Sequence, residues 1–259
     1  PLRCTQNPTM GEEWRRGWHP ERINPARSAA SILVVGGGPA GLEAALALAR
    51  RGYQVTLSEA AAELGGRLLN EAALPGLQNW IRVRDYRARL LSQMANVEIY
   101  LGSRLTAADI REFAADAALL ATGCTWRRDG QGAMMRQPRR IQADPRILTP
   151  DDIFSGARPE GRVLIYDDEH YMMGGALAEK LLADGLEVTY LTPHSMVSAW
   201  TVMTDEQAFI QAKLSAMGLQ MVFSQLLEAV GAAGLHSRST YSGQQFQHEF
   251  DTLILVTGR

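Results

Sequence analysis

The chain has little cysteine: two residues, Cys4 and Cys124, in 259. They form no CxxC pair, which argues against a dithiol redox centre. Long apolar runs are missing too. No stretch approaches the roughly 20 residues that a membrane-spanning helix needs, and the opening PLRCTQNPTMGEEWRRGW has no apolar signal-peptide core. Charge of either sign is not in excess. With 26 basic and 28 acidic residues the formal charge is −2, so there is no electrostatic case for binding nucleic acid or an anionic membrane. These absences fit a protein of the reducing cytoplasm. The remainder is ordinary globular composition, 46% hydrophobic and 21% charged, in a chain long enough for two domains with separate cores. It begins at Pro1 without an initiator Met and stops at Arg259 directly after the strand-like TLILVTG, which leads to the expectation that it is a piece of a longer protein.

Pattern divides the chain into three. Residues 1–28 are polar and rich in Arg, Trp and Pro, an extended linker with one short helix expected around Gly11–Trp18. Residues 29–160 open with SILVVGGGPAGLEAALALARRGYQVTLSEA, which reads as strand, glycine turn, helix and strand, with Gly52 as the helix C-cap. VEIYLG and AALLATG read as further strands, the latter buried, and Thr106 with Asp109 makes a capping-box variant before a helix. The stretch 125–160 is basic and irregular until TPDDIF, where Thr149 caps a short helix with Pro150 at its first position. Residues 161–259 repeat the plan with RVLIYDD, GGALAEKLLADG and LEVTYLT, then a helix, a glycine-punctuated meander and a closing strand. Alternating strands and helices predict an α/β protein of two Rossmann-like, three-layer domains with parallel sheets. The first is expected to carry a nucleotide site, and the second to be its degenerate repeat.

The first glycine loop carries the chemistry. Gly36, Gly38 and Gly41 form GxGxxG between a strand and a helix, and Glu59 ends the next strand, the full context that the dinucleotide fingerprint requires. Gly36 serves the tight turn, Gly38 leaves room for a pyrophosphate at the backbone, and Gly41 lets helix and strand approach. The helix start, at Pro39 and Ala40, offers phosphates a positive dipole end and the free N–H groups that follow Pro39. Glu59, with Ala60 beside it, suits ribose hydroxyls and repels a 2′-phosphate. Gly65 and Gly66 follow closely, Arg67 is placed to hold a phosphate, and Thr122-Gly123 ends a later strand. A plain turn and an ordinary strand end remain the alternatives for those last two elements.

The second half has YDDEHYMMGGALAEKL at the matching place. Aligning the two helices on their terminal glycines, Gly52 and Gly185, pairs Gly41 with Gly174 and leaves the second turn about two residues longer. The first two glycine positions then fall among Asp167, Glu169 and Tyr171, and Thr192 stands where Glu59 stands. Side chains there fill the space of a pyrophosphate, and carboxylates repel it by several kcal/mol at an effective dielectric of about 20. A nucleotide fold that has lost its nucleotide is the reading adopted. The alternatives are a pocket for another ligand, or a metal held by Asp167, Asp168 and Glu169.

CTQNPTMGEEWRRGWHPERI, ALPGLQNW and RDYR, with the degenerate second turn, resemble the trimethylamine dehydrogenase family, which includes histamine and dimethylamine dehydrogenases and is related to 2,4-dienoyl-CoA reductase. The resemblance covers essentially the whole chain. It implies an upstream barrel with FMN, a 4Fe–4S cluster with Cys4 as the last of its four cysteine ligands, and ADP or FAD in the first domain of this region. It further implies oxidation of a small, N-methylated or primary amine, electron transfer to an electron-transferring flavoprotein, and a homodimer. The catalytic residues then lie upstream, with none in this chain. Two other readings stay open: an NAD(P)H-dependent enoate reductase, which needs a working second pocket, and a non-catalytic ADP-holding scaffold that docks a partner. Cys124 has no match in the resemblance and reads as a small core residue. Trp80, Trp126 and Trp200 read as core aromatics or parts of a partner surface.

Overall fold

The structure, a computed structural model, describes residues 23–259. Cys4 and the short helix expected near Gly11–Trp18 lie outside the described residues. The chain divides into two compact units, one of Pro1–Ala73 with Leu77–Gly123 and one of Leu74–Gly76 with Cys124–Arg259.

In the first unit β1 (Ser31–Val35) leads into α1 (Pro39–Arg51) and β2 (Gln54–Ser58). Next come α2 (Leu68–Glu71), α3 (Arg82–Leu91), β3 (Val97–Tyr100), α4 (Ala107–Glu112) and β4 (Ala117–Leu120). The four strands form a parallel sheet in the order β3-β2-β1-β4. α1 forms because Leu42, Ala45, Leu46 and Ala49 recur at helical spacing and bury one stripe against Val34, Val55, Leu57 and Leu91. Each large aliphatic side chain so buried contributes about 1.5–3 kcal/mol. The helix stops where Gly52 turns left-handed at φ +97° and returns its N–H to the Ala49 carbonyl. The side chain of Asn96 donates to the same Ala49 carbonyl and to that of Tyr53. The Thr106–Asp109 capping box is formed at the start of α4.

The second unit holds β5 (Arg140–Ile141), β6 (Ile147–Leu148), α5 (Pro150–Phe154), β7 (Arg162–Asp167), α6 (Met173–Ala183) and β8 (Glu187–Leu191). It continues with α7 (Gln207–Ala216), β9 (Gln220–Val222), β10 (Gln225–Gly231), β11 (Gly234–Ser239), β12 (Gln245–His248) and β13 (Thr252–Val256). Five strands make a parallel sheet, β6-β13-β7-β8-β9, and β12-β11-β10-β5 make a second sheet. The expected meander is β10 to β12, paired antiparallel. It packs on the parallel sheet through Leu227, Val230 and Leu235 against Leu164, Tyr166 and Leu253.

Three features depart from the sequence reading. Residues 125–160, placed there with the first domain, contribute β5 and β6 to the sheets of the second unit. β4, expected to be buried, is an edge strand with Leu120 66% exposed: an apolar run signals burial, but position in the sheet decides it. Cys124, expected in the core, is exposed. Of the three tryptophans, Trp126 is buried, whereas Trp200 is half exposed.

Candidate nucleotide site

At the carboxyl end of the first sheet the glycines are held by contacts that exclude side chains. A β-carbon built on Gly36 would lie 2.3 Å from the Ala121 carbonyl oxygen, and Gly36 has φ +107°, a conformation that glycine adopts at little cost. A β-carbon on Gly41 would lie 1.8 Å from the Gly36 carbonyl oxygen, so this glycine sets the approach of α1 to the turn. Gly38 differs: a β-carbon there meets nothing within 4 Å, and the backbone is extended at φ −72°, ψ −179°. The space in front of Gly38 is therefore open. It faces the start of α1, where no side-chain hydrogen bond caps the helix and Pro39 and Ala40 are exposed. Unpartnered N–H groups and the positive end of the helix dipole meet at this point.

Glu59 closes one side. It is 9% exposed, accepting from the Gly37 N–H at 2.6 Å and from the Ala61 N–H at 2.7 Å. Each carboxylate oxygen keeps lone pairs for a further donor such as a ribose hydroxyl. Ala60 beside it is exposed. The ELGG loop closes the other side. The Gly65 N–H donates to the Gly37 carbonyl at 2.8 Å, and a β-carbon on Gly66 would stand 3.2 Å from the Gly38 Cα. Arg67 stands at the N-cap of α2 and pairs with Glu71 at 3.9 Å. Thr122 and Gly123 follow β4, with the Thr122 amide 3.2 Å from the would-be Gly36 β-carbon. The structure thus brings Gly36, Gly38, Gly41, Glu59, Gly65, Gly66 and Thr122 around one cradle. Sequence reasoning missed Gly37. A β-carbon there would collide with Leu64 Cδ2 at 2.6 Å and crowd Glu59, so Gly37 is what lets the acid and the ELGG loop meet. The three consecutive glycines were the available signal.

The second unit fixes the corresponding register. Val35 pairs with Ser58 across β1 and β2, and Tyr166 pairs with Leu191 across β7 and β8. The next residues correspond, so Asp167 occupies the place of Gly36, and Thr192 that of Glu59. Asp167 is fully buried. One carboxylate oxygen accepts from the N–H groups of Glu169 at 2.8 Å and His170 at 2.9 Å, and the other accepts from the Tyr190 hydroxyl. Gly174 is needed because its β-carbon would strike this carboxylate at 2.5 Å. Where Gly41 admits backbone, Gly174 admits the Asp167 side chain. Asp168, also fully buried, accepts from Met134 N–H at 2.9 Å and Met135 N–H at 3.1 Å, and bonds His170 Nε2 at 2.8 Å. Glu169 accepts from the Tyr171 N–H and pairs with Arg259 at 3.0 Å. The acids are consumed by the turn itself, and among the described residues no group of three His, Cys, Asp or Glu is arranged to hold a metal.

A further element closes this turn. The loop 126–135 lies along the carboxyl edge of the second sheet: Gly258 N–H donates to the Gln131 carbonyl at 2.7 Å, Arg127 N–H to the Gly258 carbonyl at 2.9 Å, and Ala133 N–H to the Asp168 carbonyl at 2.9 Å.

Burial, reinforced by the Glu169 charge, raises the Asp167 carboxyl to about 6. A carboxyl whose folded pKa exceeds its unfolded value near 3.9 holds a proton in the folded state that the unfolded chain has lost. Stability from this group is therefore full below about pH 4 and falls as pH rises through 6, by about 3 kcal/mol in all. Asp167→Asn is expected to remove the slope. The stability difference between wild type and variant, from urea unfolding at pH 4.5 and 7, should change by about 2–3 kcal/mol; a constant difference would contradict the assignment.

A glycine turn beside a strand-end acid, on a parallel α/β sheet, places the first unit in the Rossmann-like α/β class. The pyridine nucleotide-disulphide oxidoreductase family model matches residues 5–156, and the chain belongs to that family. It is similar to dimethylamine dehydrogenase of Hyphomicrobium sp. (strain x), at 35% identity over 100% of this chain and 39% of that protein. Among solved structures it is similar to histamine dehydrogenase from Rhizobium sp. 4-9, at 44% identity and TM-score 0.92 over 99% of this chain and 40% of that one. It is likewise similar to 6-hydroxypseudooxynicotine amine oxidase from Pseudomonas geniculata N1, at 43% identity and TM-score 0.92 over 99% of this chain and 39% of that one. The amine dehydrogenase resemblance read from the sequence is thereby supported, and the chain spans about two-fifths of these relatives. Among the described residues no helix is long and apolar enough to cross a membrane.

Proposed function

We propose that the first unit holds an ADP moiety, as ADP itself or within FAD, as part of a larger flavin- and iron–sulfur-dependent amine dehydrogenase. The observation that carries this reading is the contrast between Gly38, whose front is open, and Asp167, whose side chain fills the corresponding turn. The phosphates sit at Gly36, Gly38 and the start of α1, facing Pro39 and Ala40. The ribose is held by Glu59 beside Ala60. Gly65, Gly66 and Arg67 form one wall, and Thr122 with Gly123 the other. Glu59 also selects against a 2′-phosphate, by charge.

The whole enzyme, on this reading, is a homodimer that oxidises a small primary or N-methylated amine. It takes FMN and a 4Fe–4S cluster, with Cys4 among the cluster ligands, and delivers electrons to an electron-transferring flavoprotein. The flavin supplies the electron acceptor for the amine; the residues of this chain bind, orient and select a nucleotide. A closed second turn favours a protein acceptor over NADPH, because no cradle is left there for the nicotinamide dinucleotide. The printed names of the relatives, an amine dehydrogenase and an amine oxidase among them, favour an amine substrate.

Calorimetric titration with ADP tests the assignment. Gly38→Ala should weaken ADP by roughly tenfold or more, since a methyl group enters the pyrophosphate position. It should leave the melting temperature unchanged, since the methyl touches no protein atom within 4 Å. Unaltered ADP affinity in that variant would defeat the reading.

A further inference from the structure

The irregular stretch 126–146 contains six arginines and two acids, and the fold places several of them around clefts of the second unit. Two clefts lie there, about 910 Å³ and about 420 Å³. Both are lined by Arg139 and Ile141, so they adjoin. Arg140 and Glu228 line the larger; Arg127, Arg128 and Asp129 line the smaller.

Most of these charges are matched. Arg127 pairs with Asp129, Arg128 with Asp152, and Glu228 with Arg238. Arg139 and Arg140 are not: neither forms an ion pair with a described residue. Arg139 is partly buried, its Nε has no hydrogen-bond partner, and its Nη2 meets only the Met135 thioether. A thioether is among the weakest acceptors in a protein, whereas a guanidinium fork is built for two oxygens of one anion. Leaving such a cation without a counter-charge carries a desolvation cost that a bound anion would offset. Arg140 sits on β5 opposite Ala229, with Ile141 opposite Val230, and Arg139, Arg140, Ile141, Ala229 and Val230 all line the larger cleft.

We propose that this double cleft binds a small phosphorylated molecule. The phosphate engages Arg139 and Arg140, and the organic body rests on Ile141, Ala229 and Val230. Two unmatched positive charges suit a phosphate dianion; with the other lining arginines, Arg127 and Arg128, paired to Asp129 and Asp152, the clefts do not suit a nucleic acid. This site is separate from the glycine cradle and does not depend on what that cradle holds.

Inorganic pyrophosphate is the probe, titrated calorimetrically into the wild-type chain, the Arg139→Ala/Arg140→Ala double variant, the Arg139→Lys/Arg140→Lys variant and Gly38→Ala. The double alanine variant should weaken binding by roughly tenfold or more, as expected for lost charge-assisted hydrogen bonds. The lysine variant should retain part of the affinity, and Gly38→Ala should leave this binding event in place. Loss of binding in Gly38→Ala together with full binding in the double alanine variant would overturn the proposal while sparing the nucleotide reading. Absence of pyrophosphate binding to wild type would overturn it as well. If melting shows that the double variant is unfolded, Arg140→Ala alone, at an exposed position, carries the test with the same expected direction.

Discussion

Gly41→Ala is expected to cost the first unit about 3 kcal/mol, at the upper end of ordinary overpacking, and to remove nucleotide binding with it. The added β-carbon would lie 1.8 Å from the Gly36 carbonyl oxygen and 3.3 Å from the Ala121 β-carbon. The first obstacle is backbone, held by the hydrogen bond from Gly36 N–H to the Ser58 carbonyl at 2.8 Å. Neither rotamer change nor a flexible tip relieves it, so α1 must shift off the sheet. The apolar stripe of α1 on Val34, Val55 and Leu57 then loses packing, and the cradle loses its shape. Urea unfolding of the two proteins measures the cost. Equal midpoints would show that α1 approaches β1 less closely than described.

Asp168→Ala should be the most damaging single change in the second unit, at about 3–5 kcal/mol, the range for removing one partner of a buried charged network. The carboxylate receives Met134 N–H, Met135 N–H and His170 Nε2, and all three lose their acceptor at once. The fully buried site offers no water in exchange. Gly132, whose β-carbon would sit 2.4 Å from an Asp168 carboxylate oxygen, marks how tightly the loop 131–135 closes on this side chain. Denaturant unfolding should show the loss, and amide exchange in 132–135 should accelerate. Wild-type stability in the variant would mean that the loop holds without the carboxylate. NADPH affinity should not appear, because Asp167 still fills the turn.

The first cradle was legible because each requirement is local. Gly36, Gly38 and Gly41 lie within one turn, and Glu59 falls at a spacing set by one helix and one strand. The caps at Thr106 and Thr149 were legible for the same reason, since each box joins residues three positions apart. The displaced glycines of the second turn were also legible, as acids where phosphate chemistry forbids them. What closes that turn was not. Met134 and Met135 meet Asp168 across more than thirty positions, and Gln131 meets Gly258 across a longer span. Such contacts leave no periodicity in an irregular stretch. Edge position is likewise non-local, which is why the apolar AALL of β4 and the neighbouring Cys124 read as buried and are exposed.

Hydrogen–deuterium exchange with and without ADP measures most directly which of the two turns holds the nucleotide. Slowed exchange is expected for the amides of Gly36–Leu42 and Glu63–Leu68, with no change across Asp167–Leu177. Protection of Asp167–Leu177, or none at Gly36–Leu42, would contradict the assignment of an open first cradle and a closed second one.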